Sequence, residues 1–242
     1  MSKFLDTASF SLTFALIAFA LFVFAKLKDK NLIYAFGAIF ALYLGLDDLL
    51  TAIGNKSQYS IVSGEWNWSG KIYSLILSAA LIAILKIDKK ATGLVMPYKN
   101  NGSSLIATII LISLSATLAV IFKPDSPSLE TLAFQATMPG IAEELTYRGI
   151  APAIFLGLFN GRTDDQKMPW TAILVTALMF SVWHGLGLKS GSFSFDTASA
   201  SFTLVGGLAY GWLRFNSGSL LYPIIAHCAG NLVFQLVPLI GT

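Results

Sequence analysis

Two adjacent glutamates and an arginine, Glu143, Glu144 and Arg148, stand in an otherwise apolar stretch of this 242-residue chain. On an α-helix, Glu144 and Arg148 lie one turn apart on the same face, where they can form an ion pair. Glu143 points about 100° away and has no such cation beside it on the helix. We therefore expect Glu143 to be the more easily protonated carboxyl and the candidate base, with Glu144 and Arg148 as an orienting pair. The alternative is an ion pair that only fixes helix packing.

The chain has two histidines, His184 and His227, and each has a partner at helical spacing. His184 lies four residues after Phe180, and His227 lies four residues before Asn231. His227 and Asn231 can therefore present two hydrogen-bond donors to one point, which is the geometry that an oxyanion requires. Two structural alternatives remain open, namely an interface histidine at 184 and an interhelical hydrogen bond made by the second pair.

The elements that must position these residues are membrane helices. The chain is 55% hydrophobic and 12% charged, about half the charged fraction of a soluble domain, and its mean hydropathy is +0.69. Apolar runs long enough to cross a hydrocarbon core of about 30 Å recur along the chain. We predict an all-α, polytopic helical membrane protein with about eight membrane segments and the site in its C-terminal half. The runs are Phe10–Ala25, Asn31–Ile53, Ile72–Ile87, Ser103–Phe122, Leu129–Phe159, Met168–Leu186, Phe195–Phe215 and Ser219–Ile240.

Loop charges predict the orientation in the membrane. The odd-numbered loops are richer in Lys and Arg than the N-terminus and the even-numbered loops, so both termini are expected outside. The plasma membrane of a prokaryote is the expected location. A signal peptide is the alternative for the first run. The odd loops carry Lys26, Lys28, Lys30, Lys86, Lys89, Lys90, Lys99, Arg162, Lys167 and Arg214; the N-terminus and even loops carry Lys3, Lys56, Lys71, Lys123 and Lys189.

The fifth run is too long for one simple span. Pro139 and Gly140 predict a kink just before the glutamates, and Gly149 and Pro152 predict that the helix ends or bends after Arg148. The remaining piece, residues 153–159, is expected to be interfacial or re-entrant.

These boundaries also create a conflict of depth. They place Glu143 and His227 in the inner half of the membrane, whereas His184 lies about 22 Å along its helix from Pro169, in the outer half. Since the chemistry requires these residues to meet, we expect the helix of His184 to start well below the membrane surface.

Three motifs in order, EExxxR at 143–148, FxxxH at 180–184 and HxxxN at 227–231, resemble those of the CPBP or Abi family. These are the CAAX-processing and bacteriocin-processing intramembrane endopeptidases, including the type II CAAX prenyl endopeptidases. The contexts YRG and SGSLLYPIIAH are also similar, and the resemblance runs from Leu129 to the C-terminus.

The resemblance implies a glutamate-dependent peptidase. Glu143 and His184 would activate a water, and His227 and Asn231 would stabilise the oxyanion. Glu144, Arg148 and Phe180 would orient or support these groups. The substrate would be membrane-associated: either a prenylated CAAX-type protein or peptide cleaved after the modified cysteine or, as for many bacterial members, another peptide or membrane protein.

The predicted organisation is one membrane domain over residues 1–242, with N-terminal helices of unknown role (1–125) and catalytic helices (126–242). We expect no metal cofactor, because the chain has no HExxH sequence. Zinc is the alternative, since two His and two Glu can bind it. The expected partners are the lipid bilayer and the peptide substrate, with no nucleic acid, and the oligomeric state stays open.

Several polar and small residues are not assigned to the site. Asp47 and Asp48 are expected near the outer interface, with a polar lining of the substrate cavity as the alternative. Cys228 is interpreted as a packing residue, and Gly207 and Gly211 as a close-packing pattern between helices. Two rival functions remain, a proton- or ion-coupled transporter and a non-catalytic immunity or chaperone-like membrane protein.

Overall fold

A computed structural model describes residues 2–27, 33–159 and 168–240. Over these residues the chain forms eleven α-helices, a 3-10 turn, a π-helical turn and one two-stranded hairpin. In chain order they are α1 (Ser2–Ala25), α2 (Ile33–Gly54), the 3-10 turn (Ser57–Tyr59), α3 (Trp68–Leu85), α4 (Lys89–Thr92), α5 (Asn101–Phe122), α6 (Leu129–Gln135), α7 (Met138–Glu144), the π-helical turn (Leu145–Ile150), α8 (Ala151–Leu156), α9 (Trp170–Gly185), β1 (Leu186–Lys189), β2 (Ser192–Phe195), α10 (Thr197–Ser217) and α11 (Leu221–Ile240).

The outer faces of the long helices are apolar. Among the described residues, four stretches are long and apolar enough to cross a membrane, namely Phe4–Ala25, Tyr34–Gly54, Trp68–Leu85 and Asn101–Phe122. Many large hydrophobic side chains on α1 and α5 are exposed in the bundle, among them Leu12, Leu16, Phe24, Ile106, Ile110 and Ile121. Such a surface is unfavourable in water, at about 25 cal/mol per Å², but not against lipid. The predicted polytopic helical membrane fold is confirmed.

The fifth predicted segment is one broken helical path. It is interrupted at residues 136–137, two residues before Pro139, which occupies the first turn of α7, where proline is tolerated. Of the predicted end or bend after Arg148, the end is wrong, because the chain continues through the π-helical turn into α8. Gly149 serves close packing, since a Cβ there would lie 3.2 Å from Leu145, Leu220 and the Thr92 carbonyl.

Two further boundaries differ from the prediction. The predicted interfacial piece 153–159 is helical to Leu156 as the end of this same path, and Gly157 closes it with a φ of 71°. The seventh run was predicted to begin at Phe195, but this residue ends β2, and α10 begins at Thr197 with Asp196 as its N-cap. The hairpin pairs Leu186 with Phe195. The SFSF sequence of β2 alternates polar and apolar residues, but each strand has only four residues, too few for a firm prediction.

The predicted orientation stays a prediction, and several of its charges, Lys28, Lys30, Arg162 and Lys167, lie outside the described residues, as does Asn31. The predicted close packing at Gly207 and Gly211 is confirmed. A Cβ at Gly207 would lie 3.0 Å from the Cβ of Ala177, and one at Gly211 would lie 2.7 Å from Ile173. These glycines therefore let α10 approach α9.

Glycine also lets α7 approach α11, next to the glutamates. A Cβ at Gly140 would overlap the thiol of Cys228 and lie 3.1 Å from the Cys228 nitrogen. The Cys228 thiol in turn contacts the Thr137 carbonyl at 3.4 Å, as expected of a packing residue.

We expect Gly140→Ala to lower the free energy of unfolding by about 1–3 kcal/mol, because the extra methyl group overpacks this contact. Thermal unfolding in detergent measures the effect. Gly102→Ala is the matched control, since no atom lies within 4 Å of a Cβ built there. Equal stability of the two variants would contradict a tight α7–α11 contact.

Candidate active site

The candidate site is centred on His227 of α11, whose ring lies between the two glutamates. Its Nδ1 lies 2.8 Å from Glu144 Oε1, and its Nε2 lies 3.9 Å from Glu143 Oε2. A carboxylate accepts hydrogen bonds, so Nδ1 donates to Glu144 and Nε2 faces Glu143. Tyr210 of α10 stacks on the ring at 5.3 Å between centroids. Glu144 therefore sets both the orientation and the tautomer of His227.

The predicted ion pair between Glu144 and Arg148 is present and fully buried. Arg148 NH1 lies 3.2 Å from Glu144 Oε1, a contact between charges without the alignment of a hydrogen bond. The guanidinium lies over the ring of Phe180 at 4.3 Å and near that of Tyr210 at 5.5 Å. Aromatic faces attract a cation in this geometry, so the rings of α9 and α10 support the charge of Arg148.

The prediction that Glu143 lacks a salt bridge is wrong. Lys71 Nζ lies 2.6 Å from Glu143 Oε1, and the two side chains are only 9% and 10% exposed. Glu143 was expected to be the more easily protonated carboxyl because it had no cation partner, and Lys71 is such a partner. Helical spacing could not reveal this cation, because it comes from α3, 72 residues earlier in the chain.

One signal in the sequence pointed to Lys71. The residue was counted as a loop lysine, but it is the fourth residue of α3, which begins at Trp68. Asn67 is the N-cap, and its side chain accepts a hydrogen bond from the Gly70 nitrogen. An Asn cap directly before an apolar run predicts a helix start, and Lys71 would then lie inside that helix.

His184 lies at the penultimate position of α9, beside the same cluster. Its Nδ1 lies 2.9 Å from the Phe180 carbonyl, which can only accept, so Nδ1 is the donor and Nε2 is left as an acceptor. Its ring contacts those of Phe180 and Trp183 at 4.3 and 4.8 Å between centroids. Glu143, Lys71 and His227 are all close enough to interact with it electrostatically.

The path of the fifth segment reduces the conflict of depth, and the late start of α9 stays a prediction. The whole of α6 stays at the level where α3 begins. Glu130 accepts a hydrogen bond from the Trp68 indole at 3.0 Å, and the Phe134 ring contacts the Trp68 ring at 5.1 Å. The helix that leads into the bundle, α7, starts only at Met138. Glu143 therefore lies about 8 Å along the helix axis from Met138. Glu143 therefore lies nearer to the predicted outer side than an unbroken helix would place it.

His227 and Asn231 are not arranged as two free donors. The Nδ1 of His227 is engaged by Glu144, and Asn231 Nδ2 donates to Gln135 Oε1 at 3.0 Å. Two donors remain for an oxyanion. They are Nε2 of His227, when it carries a hydrogen, and the second amide hydrogen of Asn231. Gln135, at the end of α6, is a residue that the motifs did not include.

Asp47 and Asp48 are buried and hydrogen-bonded, and their expected position near the outer interface stays a prediction. Asp47 Oδ1 accepts from Ser74 at 2.5 Å and from Thr146 at 3.3 Å. The two oxygens of Asp48 accept from Ser11 at 2.5 Å and from the Trp183 indole at 2.8 Å. These bonds join α1, α2 and α3 to the π-helical turn and to α9, which carry residues of the first and second motifs.

Asp48 also lines a cavity of about 290 Å³, as the alternative prediction of a polar lining requires. The cavity opens beside the start of α1 and the hairpin, and Asp6, Thr7, Phe10, Ala52, Leu188 and Lys189 complete its wall.

Among the described residues, no group of three or more His, Cys, Asp or Glu side chains is arranged to hold a metal ion. The ring nitrogens of His227 face separate carboxylates, and Nδ1 of His184 is engaged by a carbonyl. The absence of a metal cofactor stays a prediction.

Fold and cluster together define a class: a polytopic membrane protein with paired carboxylates and histidines buried among its helices. Residues 125–233, just under half of the chain, match the family model described as Rce1-like, type II CAAX prenyl endopeptidase. This segment therefore belongs to the CAAX-protease family, which confirms the predicted resemblance. The match supports, in general terms, a CAAX-type intramembrane protease with a membrane-associated protein as its substrate.

The match favours a peptidase over the transporter among the rival functions. It spans every motif residue, whereas Lys71, Asp47 and Asp48 lie outside it. We found no match among curated proteins or solved structures.

The Glu144–Arg148 pair yields a prediction about stability. Arg148→Met should lower the free energy of unfolding by about 3–5 kcal/mol, because it leaves a buried carboxylate without its guanidinium. The double variant Arg148→Met/Glu144→Gln should recover much of that loss, since it removes the stranded charge. Thermal unfolding in detergent compares them, with exposed Lys189→Met as the control. If the double variant is no more stable than the single one, the ion pair does not govern this part of the fold.

Proposed function

We propose that this protein is an intramembrane glutamate-dependent endopeptidase in which Glu143 and His184 activate the attacking water. The observation that carries the proposal is the buried carboxylate of Glu143, in a segment that matches a peptidase family. Its Oε2 lies 3.9 Å from His227 Nε2, and it interacts electrostatically with His184. Peptide hydrolysis needs an activated water, a stabilised oxyanion and a proton for the leaving amine. The side chains of this cluster can supply all three.

In the proposed reaction, Glu143 takes a proton from water while the water oxygen bonds to the carbonyl carbon of the substrate. The carbonyl π electrons move to its oxygen, which becomes the oxyanion. When the tetrahedral intermediate collapses, the C–N bond breaks and Glu143 returns its proton to the amine nitrogen. The Nε2 of His184 accepts a hydrogen bond from the water and so orients it for this transfer.

In this proposal, His227 and Asn231 stabilise the oxyanion. Glu144 accepts a hydrogen bond from Nδ1 of His227, and Nε2 carries a second hydrogen in the proposed reaction. That hydrogen and the second amide hydrogen of Asn231 are the two donors. Arg148 and Phe180 act indirectly, because they hold Glu144 and the helix of His184. The surrounding low dielectric strengthens each of these interactions.

The test compares the wild type with Glu143→Ala and His184→Ala in proteoliposomes. The probe is a peptide with a farnesylated cysteine in a C-terminal CAAX sequence, and mass spectrometry follows its cleavage after that cysteine. We expect each variant to lose about 10²–10⁴-fold in rate, the usual contribution of a general acid or base. Glu65→Ala is the control, since Glu65 is exposed in the loop before α3.

Wild-type rates in both variants would refute the mechanism. The same peptide without the farnesyl group tests the substrate class. Equal cleavage of both peptides would show that the lipid is not recognised and leave a membrane peptidase of broader specificity.

We also propose that catalysis needs no metal ion. The expected result is the same rate of peptide cleavage before and after dialysis against EDTA. Loss of activity in EDTA and its recovery on addition of zinc would instead establish the zinc-dependent alternative.

A further inference from the structure

We infer that Lys71 is a positioning residue of this peptidase, acting through Glu143. The inference rests on the proposed function and extends the site beyond the family-matched segment, into α3. The ammonium lies 2.6 Å from Glu143 Oε1. Both residues are buried, so the pair is shielded from water and from salt.

The backbone of Lys71 is held firmly where α2 ends and α3 begins. A Cβ on Gly54 would overlap the backbone of Gly70, so the two helices touch main chain to main chain. Asn67 spans the same junction, since its side chain donates to the Thr51 carbonyl at 2.8 Å and accepts from the Gly70 nitrogen at 3.0 Å. The residue after Gly70 therefore has little freedom to move away from the site.

The side chain of Lys71 is directed as well as anchored. Its ammonium lies 4.9 Å from the centroid of the Trp183 ring, and the Trp183 indole donates to Asp48. Trp183 is the neighbour of His184 in α9. A single tryptophan, fixed by Asp48, therefore contacts the lysine that pairs with Glu143 and the histidine proposed to orient the water.

The ion pair decides which oxygen of Glu143 reacts. Lys71 occupies Oε1, so Oε2 is the oxygen turned towards His227 Nε2, at 3.9 Å. In the proposed reaction the proton from water goes to Oε2 and returns from it to the amine, while Lys71 keeps its own proton throughout. Without the ammonium, the carboxylate is free to rotate, and a displacement of about 1 Å in a catalytic group can cost about 10²-fold in rate.

The test uses Lys71→Met, which keeps the length of the side chain and removes its charge, and Lys71→Arg, which keeps the charge. We expect Lys71→Met to lower kcat about 10- to 100-fold while KM changes less than about threefold, because the lysine touches Glu143 and not the substrate. Lys71→Arg should recover at least about a third of the wild-type kcat. The matched control is Lys123→Met, at an exposed lysine that ends α5.

The assay is the proteoliposome assay with the peptide that the wild type cleaves, and Glu143→Gln is measured beside the other variants. Inactive Glu143→Gln together with a wild-type kcat for Lys71→Met overturns this inference and leaves the proposed function standing. A wild-type rate for Glu143→Gln overturns the proposed function itself. A loss in Lys71→Met that appears wholly in KM also refutes a positioning role. If Lys71→Met does not fold, Lys71→Gln, which keeps a donor without the charge, takes its place with the same expected loss.

Discussion

Burial of charge in an apolar bundle is the constraint on which the rest of this structure depends. Inside a membrane protein an unpaired charge is strongly destabilising, so each carboxylate of the site must find a partner with suitable geometry. Glu143 finds Lys71, while Glu144 finds both Arg148 and His227. Two of these three partners come from other helices, and the charges that do the proposed chemistry therefore also determine how α3, α7 and α11 pack together.

The two glutamates can serve different helices because they are adjacent in sequence. Neighbouring residues on a helix point about 100° apart, so one side chain faces α3 and the other faces α11. The break before α7 sets the depth of both glutamates in the bundle. The π-helical turn that follows contains Arg148 and places it beside Glu144. Single π-helical turns are common at functional sites, and here the turn lies directly after the residues proposed to react.

The N-terminal helices contribute more than a membrane anchor. They supply Lys71 to Glu143 and, through Asp48, the hydrogen bond that fixes Trp183 beside His184. Asp47 is bonded to both α3 and the π-helical turn. The family-matched segment carries all the motif residues, yet the polar groups around them belong in part to helices that lie outside it.

Composition and apolar run length determined the membrane class, and helical spacing determined the Glu144–Arg148 pair, because both depend only on residues close in the chain. The break at residues 136–137 and the π-helical turn have no periodic signature and were missed. The hairpin was missed because its alternating strands have only four residues each. The contact of Lys71 with Glu143 and that of Gln135 with Asn231 link residues 72 and 96 positions apart. Only the tertiary structure decided these contacts, because the partner of a buried charge is set by which helices pack side by side and at what depth, and local spacing carries no record of either.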